Sequence, residues 1–112
     1  MASSSGRSLD GADRLAASAL VLSVLLWEVP GRGDALIAYE DAVLPLLSDH
    51  GGQVLSRARR SDDGDGPLET HLLEFPDEAA LDAYLADPRR TALGAQRDGA
   101  IARTELQRVE SI

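Results

Sequence analysis

The chain reads as an α+β sandwich in which strands and helices follow the order β-α-β-β-α-β, and three observations predict it. An apolar run from Ala19 to Val29 stops at Pro30-Gly31; two alternating runs, Gln53 to Arg60 and Leu68 to Phe75, are joined by the turn-rich SDDGDGP; and a stretch of helical periodicity follows the first strand and another the third. Two strands joined by a hairpin, with a crossover on either side, place both helical stretches on one face of a four-stranded antiparallel sheet.

Each element has its own signature. Residues 1–18 are rich in Ser, Gly, Ala and Asp and show no apolar face, so they are expected to form a mobile tail ahead of a single domain spanning 19–112. Arg7 and Arg14 precede the apolar stretch Leu15 to Trp27, but Ser18 and Ser23 interrupt it and no small-residue cleavage site follows. It is also shorter than the ~20 residues of a membrane span, so a soluble, cytoplasmic chain is expected. Ala19 to Val29 lacks alternation, as a strand buried on both faces does. Asp34 is the expected N-cap of a helix that aligns Leu36, Tyr39, Val43 and Leu47, with Pro45 tightening its last turn and Gly51-Gly52 ending it. In the second strand Gln53, Leu55, Arg57 and Arg59 should share a face; in the third, His71, Leu73 and Phe75 should face the helices. Asp77 caps a helix carrying Ala80, Leu81, Tyr84 and Leu85, Asp87-Pro88 starts a further segment ending near Gly99, and Ala102 to Val109 is the last strand. The whole is a ferredoxin-like α+β sandwich. Its helix-free sheet face would be closed by the same face of a second copy.

Composition narrows the chemistry. At 112 residues and 44% apolar the chain supports one core, built from Leu, Val and Ala because aromatics are only 4%. A domain of this size gains from dimerisation. The 19 acidic residues outnumber 11 basic ones, all arginine, for a net charge of −8, which argues against a nucleic-acid surface. The lack of cysteine excludes thiolate nucleophiles, disulfides and thiolate zinc sites; the lack of lysine excludes Schiff bases. Acid–base and electrostatic chemistry remain. The acidic turn from Ser61 to Gly66 lacks the closing Glu and flanking helices of a calcium loop, and Arg32-Gly33-Asp34 reads as a turn and cap.

HGGQVLSR after a helix with a late proline, and LLEFPDEAALDAYLADP in the second half, resemble the dimeric α/β-barrel superfamily over about Leu20 to Val109. Within it the chain is most similar to a group of small single-domain proteins of unknown function related to the antibiotic-biosynthesis monooxygenases. The resemblance implies a homodimeric barrel and a superfamily of cofactor-independent oxygenases, lactone isomerases, polyketide cyclases and haem enzymes. Where the group commonly carries an aromatic after the Asp-Pro step, this chain carries Arg89, Arg90 and Thr91. No His, Met or Cys lies between Asp77 and Gly99 to serve as the proximal ligand of the haem branch, so haem is not expected, and the resemblance then implies an enzyme with no cofactor.

His71 is the leading candidate for catalysis, because a helix-facing strand histidine would line any cavity between sheet and helices. Its plain alternative is a core histidine held by one hydrogen bond. Arg57 is the candidate to hold a developing negative charge, against an ion pair with Glu69 or Glu74. Trp27, Tyr39 and Tyr84 are candidate pocket walls or core plugs. Arg89 and Arg90 could meet an anion or neutralise the chain's own carboxylates, and His50 reads as a helix cap. Two functions follow. One is an enzyme moving a proton, cyclising, isomerising or oxygenating a hydrophobic oxygenated molecule; the other is a non-catalytic homodimeric small-molecule-binding or accessory protein.

Overall fold

The computed structural model describes residues 19–110 and Ile112; the expected tail lies outside the described residues. Strand β1 (Leu20–Glu28) is followed by helix α1 (Gly33–Val43), a 3-10 helix (Leu44–His50), β2 (Gln53–Arg59), β3 (Glu69–Phe75), helices α2 (Glu78–Leu85), α3 (Pro88–Thr91) and α4 (Gly94–Ala100), and β4 (Ile101–Val109). The strands pair antiparallel in the order β2-β3-β1-β4, so the apolar first strand is central.

Alternation along the two central strands selects the buried face. Leu22, Val24 and Leu26 of β1 stand opposite Leu73, His71 and Glu69 of β3, and all six are buried under the helices. Leu36, Tyr39, Val43 and Leu47 line up against them as the helical period requires, and Phe75, Leu81 and Tyr84 complete the core. Pro45 lacks an amide hydrogen, and the chain passes there from α-helix into the tighter 3-10 form, ending at Gly51 with φ +75°. Asp77 caps α2 by accepting from the Ala80 amide.

Three local expectations are corrected. The first helix begins at Gly33 after Arg32 with no side-chain cap, and Asp34 sits in its first turn, where a negative charge still favours the positive end of the helix. In β2 the pairing slips between Val54 and Ser56, leaving Leu55 as an extra residue. The bulge puts Val54, opposite Leu73, on the same face as Arg57 and Arg59, and sends Gln53 to the other. The segment after Asp87 is two short helices, α3 and α4, because it breaks at Ala92-Leu93.

Candidate functional site

Between the helices and strands β1, β3 and β4 lies a cavity of about 150 Å³. Leu22, Phe75 and Leu81 form its apolar floor, half-exposed Leu85 and Leu106 flank its mouth, and Glu40, His71, Tyr84, Arg90 and Arg97 supply its polar groups. Leu85, expected on the buried stripe of α2, is 40% exposed because it stands at this mouth.

His71 is held from below. Its Nε2 lies 2.8 Å from Glu69 Oε1, and both side chains are sealed from solvent. Arg57 donates to both Glu69 oxygens through Nε and Nη2, at 2.8 and 2.9 Å, and Arg59 Nη2 adds a third contact at 2.7 Å. Burial by itself would push the Glu69 carboxyl up, but the hydrogen bonds from His71, Arg57 and Arg59 outweigh it and pull the carboxyl down to about 2. An ionised Glu69 only accepts, so the imidazole proton resides on Nε2. Nδ1 then points toward Glu40, whose Oε1 is 3.9 Å away. Glu40 is buried, and burial raises its pKa against the opposing pull of His71.

The remaining candidates divide between this cavity and elsewhere. Tyr84 lines it, donates its hydroxyl to the Val43 carbonyl at 3.4 Å, and has its pKa pushed up to about 12 by burial against the pull of Arg90. The Arg90 guanidinium lies 5.1 Å above the Tyr84 ring. Arg57 stands behind the cavity, occupied by Glu69 and by Asp41 at 2.8 Å, and those contacts raise its pKa further. Trp27 is on the opposite face, because strand alternation turns Leu26 inward; its indole donates to the Asp65 carbonyl and carries Arg103 at 4.4 Å. Tyr39 is packed in the core. Arg89 binds Asp87 and Asp49, and with His50, 2.7 Å from Asp87, it draws the Asp87 carboxyl well below the usual range. His50 thus ties the 3-10 helix to the start of α3.

Sequence reasoning passed over Glu40, Glu69 and Arg97 as site residues. The signal was present for two of them: Glu40 is four residues after Leu36 on the buried stripe, and Glu69 has the parity of His71 and Phe75. Among the described residues no cluster of three or more His, Asp or Glu is placed to hold a metal ion, and no helix is long and apolar enough to cross a membrane.

Solved structures share this architecture. A protein of unknown function from Rhodopseudomonas palustris superposes with a TM-score of 0.70 at 17% identity, covering 97% of this chain and 95% of its own. A candidate antibiotic biosynthesis monooxygenase from Bacteroides thetaiotaomicron gives 0.68 at 20% identity, covering 87% and 92%. A dimeric protein of unknown function with a ferredoxin-like fold, from Bacteroides fragilis, gives 0.63 at 14% identity, covering 83% and 96%. These likenesses establish the ferredoxin-like fold. Curated proteins offer no match. The family model for the domain of unknown function DUF1330 matches residues 31–111, from the turn before α1 through β4, and the chain belongs to that family.

Proposed function

We propose that this chain is a cofactor-independent enzyme, assembled as a homodimeric α/β barrel, that moves a proton on a small, largely apolar molecule bearing a carbonyl or similar oxygen. The observation that carries the reading is the buried His71, tied through Nε2 to an ionised Glu69 and fronting a cavity with its other edge. A general base needs a fixed tautomer with a free lone pair; the Glu69 contact fixes the tautomer, and Nδ1, 3.9 Å from Glu40, carries the lone pair. Arg57 and Arg59 then act as positioning residues through Glu69. Tyr84 and Arg90 bound the substrate, while Trp27, Tyr39 and Arg89 serve the surrounding frame. Negative charge developing on the substrate oxygen would face Arg90 and the Glu40 carboxyl. The fold shared with a candidate antibiotic biosynthesis monooxygenase is consistent with this class, and a neighbour described as dimeric supports the assembly.

Deuterium exchange at the α-carbons of cyclopentanone, cyclohexanone and levulinate, followed by proton NMR, tests the reading with simple carbonyl probes in place of the natural substrate. The wild type should accelerate exchange in at least one compound, and His71→Ala should slow it by roughly 10²–10⁴-fold while remaining folded. A His71→Ala protein as fast as the wild type sinks the assignment. A wild type that binds these compounds but accelerates none supports the binding or accessory reading instead.

A further inference from the structure

We propose that the cavity selects a small carboxylate, gripped between Arg90 and Arg97, with its apolar body against Phe75, Leu81 and Leu106. This deepens the reading above and rests on it only for the choice of cavity. Arginines are scarce beside carboxylates in this chain, 11 against 19, so they are expected to be paired. Among the described residues Arg57, Arg59, Arg60, Arg89, Arg103 and Arg108 each meet a carboxylate, while Arg32, at the turn before α1 and outside the cavity lining, meets none. Arg90 and Arg97, both lining the cavity, meet none: Arg90 reaches the Leu85 carbonyl, 3.5 Å away, and the Tyr84 side chain, and Arg97 donates to the Thr104 hydroxyl at 3.0 Å.

Arg90 makes the stronger argument. Its Nε is buried and has no hydrogen-bond partner. Buried polar groups are rarely left so, and a donor fork beside an open cavity is matched in shape and charge by a carboxylate. Glu40, the one carboxyl on the wall, opposes an anion less than an exposed glutamate would, because burial raises its pKa. Size limits the ligand as well. A cavity of about 150 Å³ holds roughly one six-carbon ring, with the carboxylate directed at the arginines and the rest toward the mouth.

The test is titration of the full chain with benzoate and with benzamide, its neutral isostere, read by calorimetry and by the His71 imidazole NMR signals. Benzoate should bind at least about tenfold more tightly than benzamide, and Arg90→Gln should remove most of that advantage. Arg97→Gln, whose guanidinium is already engaged by Thr104, should weaken benzoate by roughly 3–10-fold with no effect on benzamide. Arg103→Gln, on the opposite face of the sheet beside Trp27, should retain benzoate affinity within about threefold, and an equal loss there would mean that net charge and not the cavity sets the preference. Equal affinity for the two probes, or benzoate binding untouched by both arginine variants, overturns the carboxylate proposal while leaving the cavity as the ligand site. Binding of neither probe overturns the proposal and the choice of cavity together.

Discussion

His71 and Glu69 stand two residues apart on β3, and the 2.8 Å contact between them commits one edge of the imidazole to the strand and leaves the other to the cavity. Strand alternation explains why they meet: the same parity that buries Leu73 and Phe75 carries both inward. A buried carboxylate at that position is tolerable only with compensating donors. Arg57 and Arg59 provide them, because the Leu55 bulge rotates both onto the helix-facing side of β2.

Removal of Glu69 should therefore be costly. Glu69→Ala leaves His71 and Arg59 without their acceptor and Arg57 with Asp41 alone, and a loss of about 3 kcal/mol is expected, the low end for breaking a buried pair because both arginines reach solvent. The pH dependence has a definite sign. The folded-state pKa of about 2 lies below the ordinary 4.5, so the contribution of Glu69 is complete above pH 4.5 and is lost as pH falls toward 2. Urea unfolding across that window should show the wild type losing stability more steeply than Glu69→Ala; parallel slopes would contradict the assignment.

Glu40 predicts the reverse. Its pKa is raised by burial, so the folded state holds the proton more tightly than the unfolded state, and stability is lost as pH rises above 4.5. Glu40→Gln keeps the shape and removes the charge. Its melting temperature should exceed that of the wild type at pH 8 and approach it at pH 4, while an unchanged difference at the two pH values would show that Glu40 does not titrate in this way.

The homodimer of the proposed barrel has its own test. Ser23, Leu25 and Leu72 lie half-buried on the helix-free face beside Val21 and Val109, and Thr70 and Glu105 sit among them. Light scattering should return about twice the chain mass of 11.9 kDa, and Leu72→Asp should return the single-chain mass. A wild type that scatters as a monomer at micromolar concentration ends the barrel reading.

What could be read from the sequence was whatever depends on local chemistry. The apolar first strand, the Asp77 cap, the tightening at Pro45 and the stop at Gly51 each follow from a residue acting on its own backbone. The candidate site was harder, because it depends on long-range register. No periodicity in Gln53 to Arg59 announces the extra residue at Leu55, and without it Arg57 cannot be assigned to Glu69 and not to Glu74. Trp27 shows the same limit in reverse. A strand apolar on both faces does not reveal which parity points to the helices, and only the pairing of Leu26 with Glu69 settles that Trp27 points away. Arg97 was invisible because helix α4 places it at the cavity by packing alone.

Two glycines separate close packing from backbone freedom. A Cβ on Gly52 would lie 3.0 Å from Phe75 Cδ1 and 3.1 Å from the Glu74 carbonyl oxygen, so Gly52→Ala forces a fully buried ring or the β3 backbone to move. A loss of about 1–3 kcal/mol is expected, as for other overpacked positions. Gly99, in α4, has nothing within 4 Å of the same added atom and no positive φ. Gly99→Ala should therefore stabilise the chain by about 0.5–1 kcal/mol, since alanine loses less conformational freedom in a helix. Because Gly52 adjoins the strand that carries Glu69 and His71, the Gly52→Ala protein should also show altered His71 NMR signals, whereas Gly99→Ala should leave them in place. Equal stability of the two variants would mean that the 3.0 Å approach at Phe75 relaxes freely, and that the ring is not held as tightly as its burial implies.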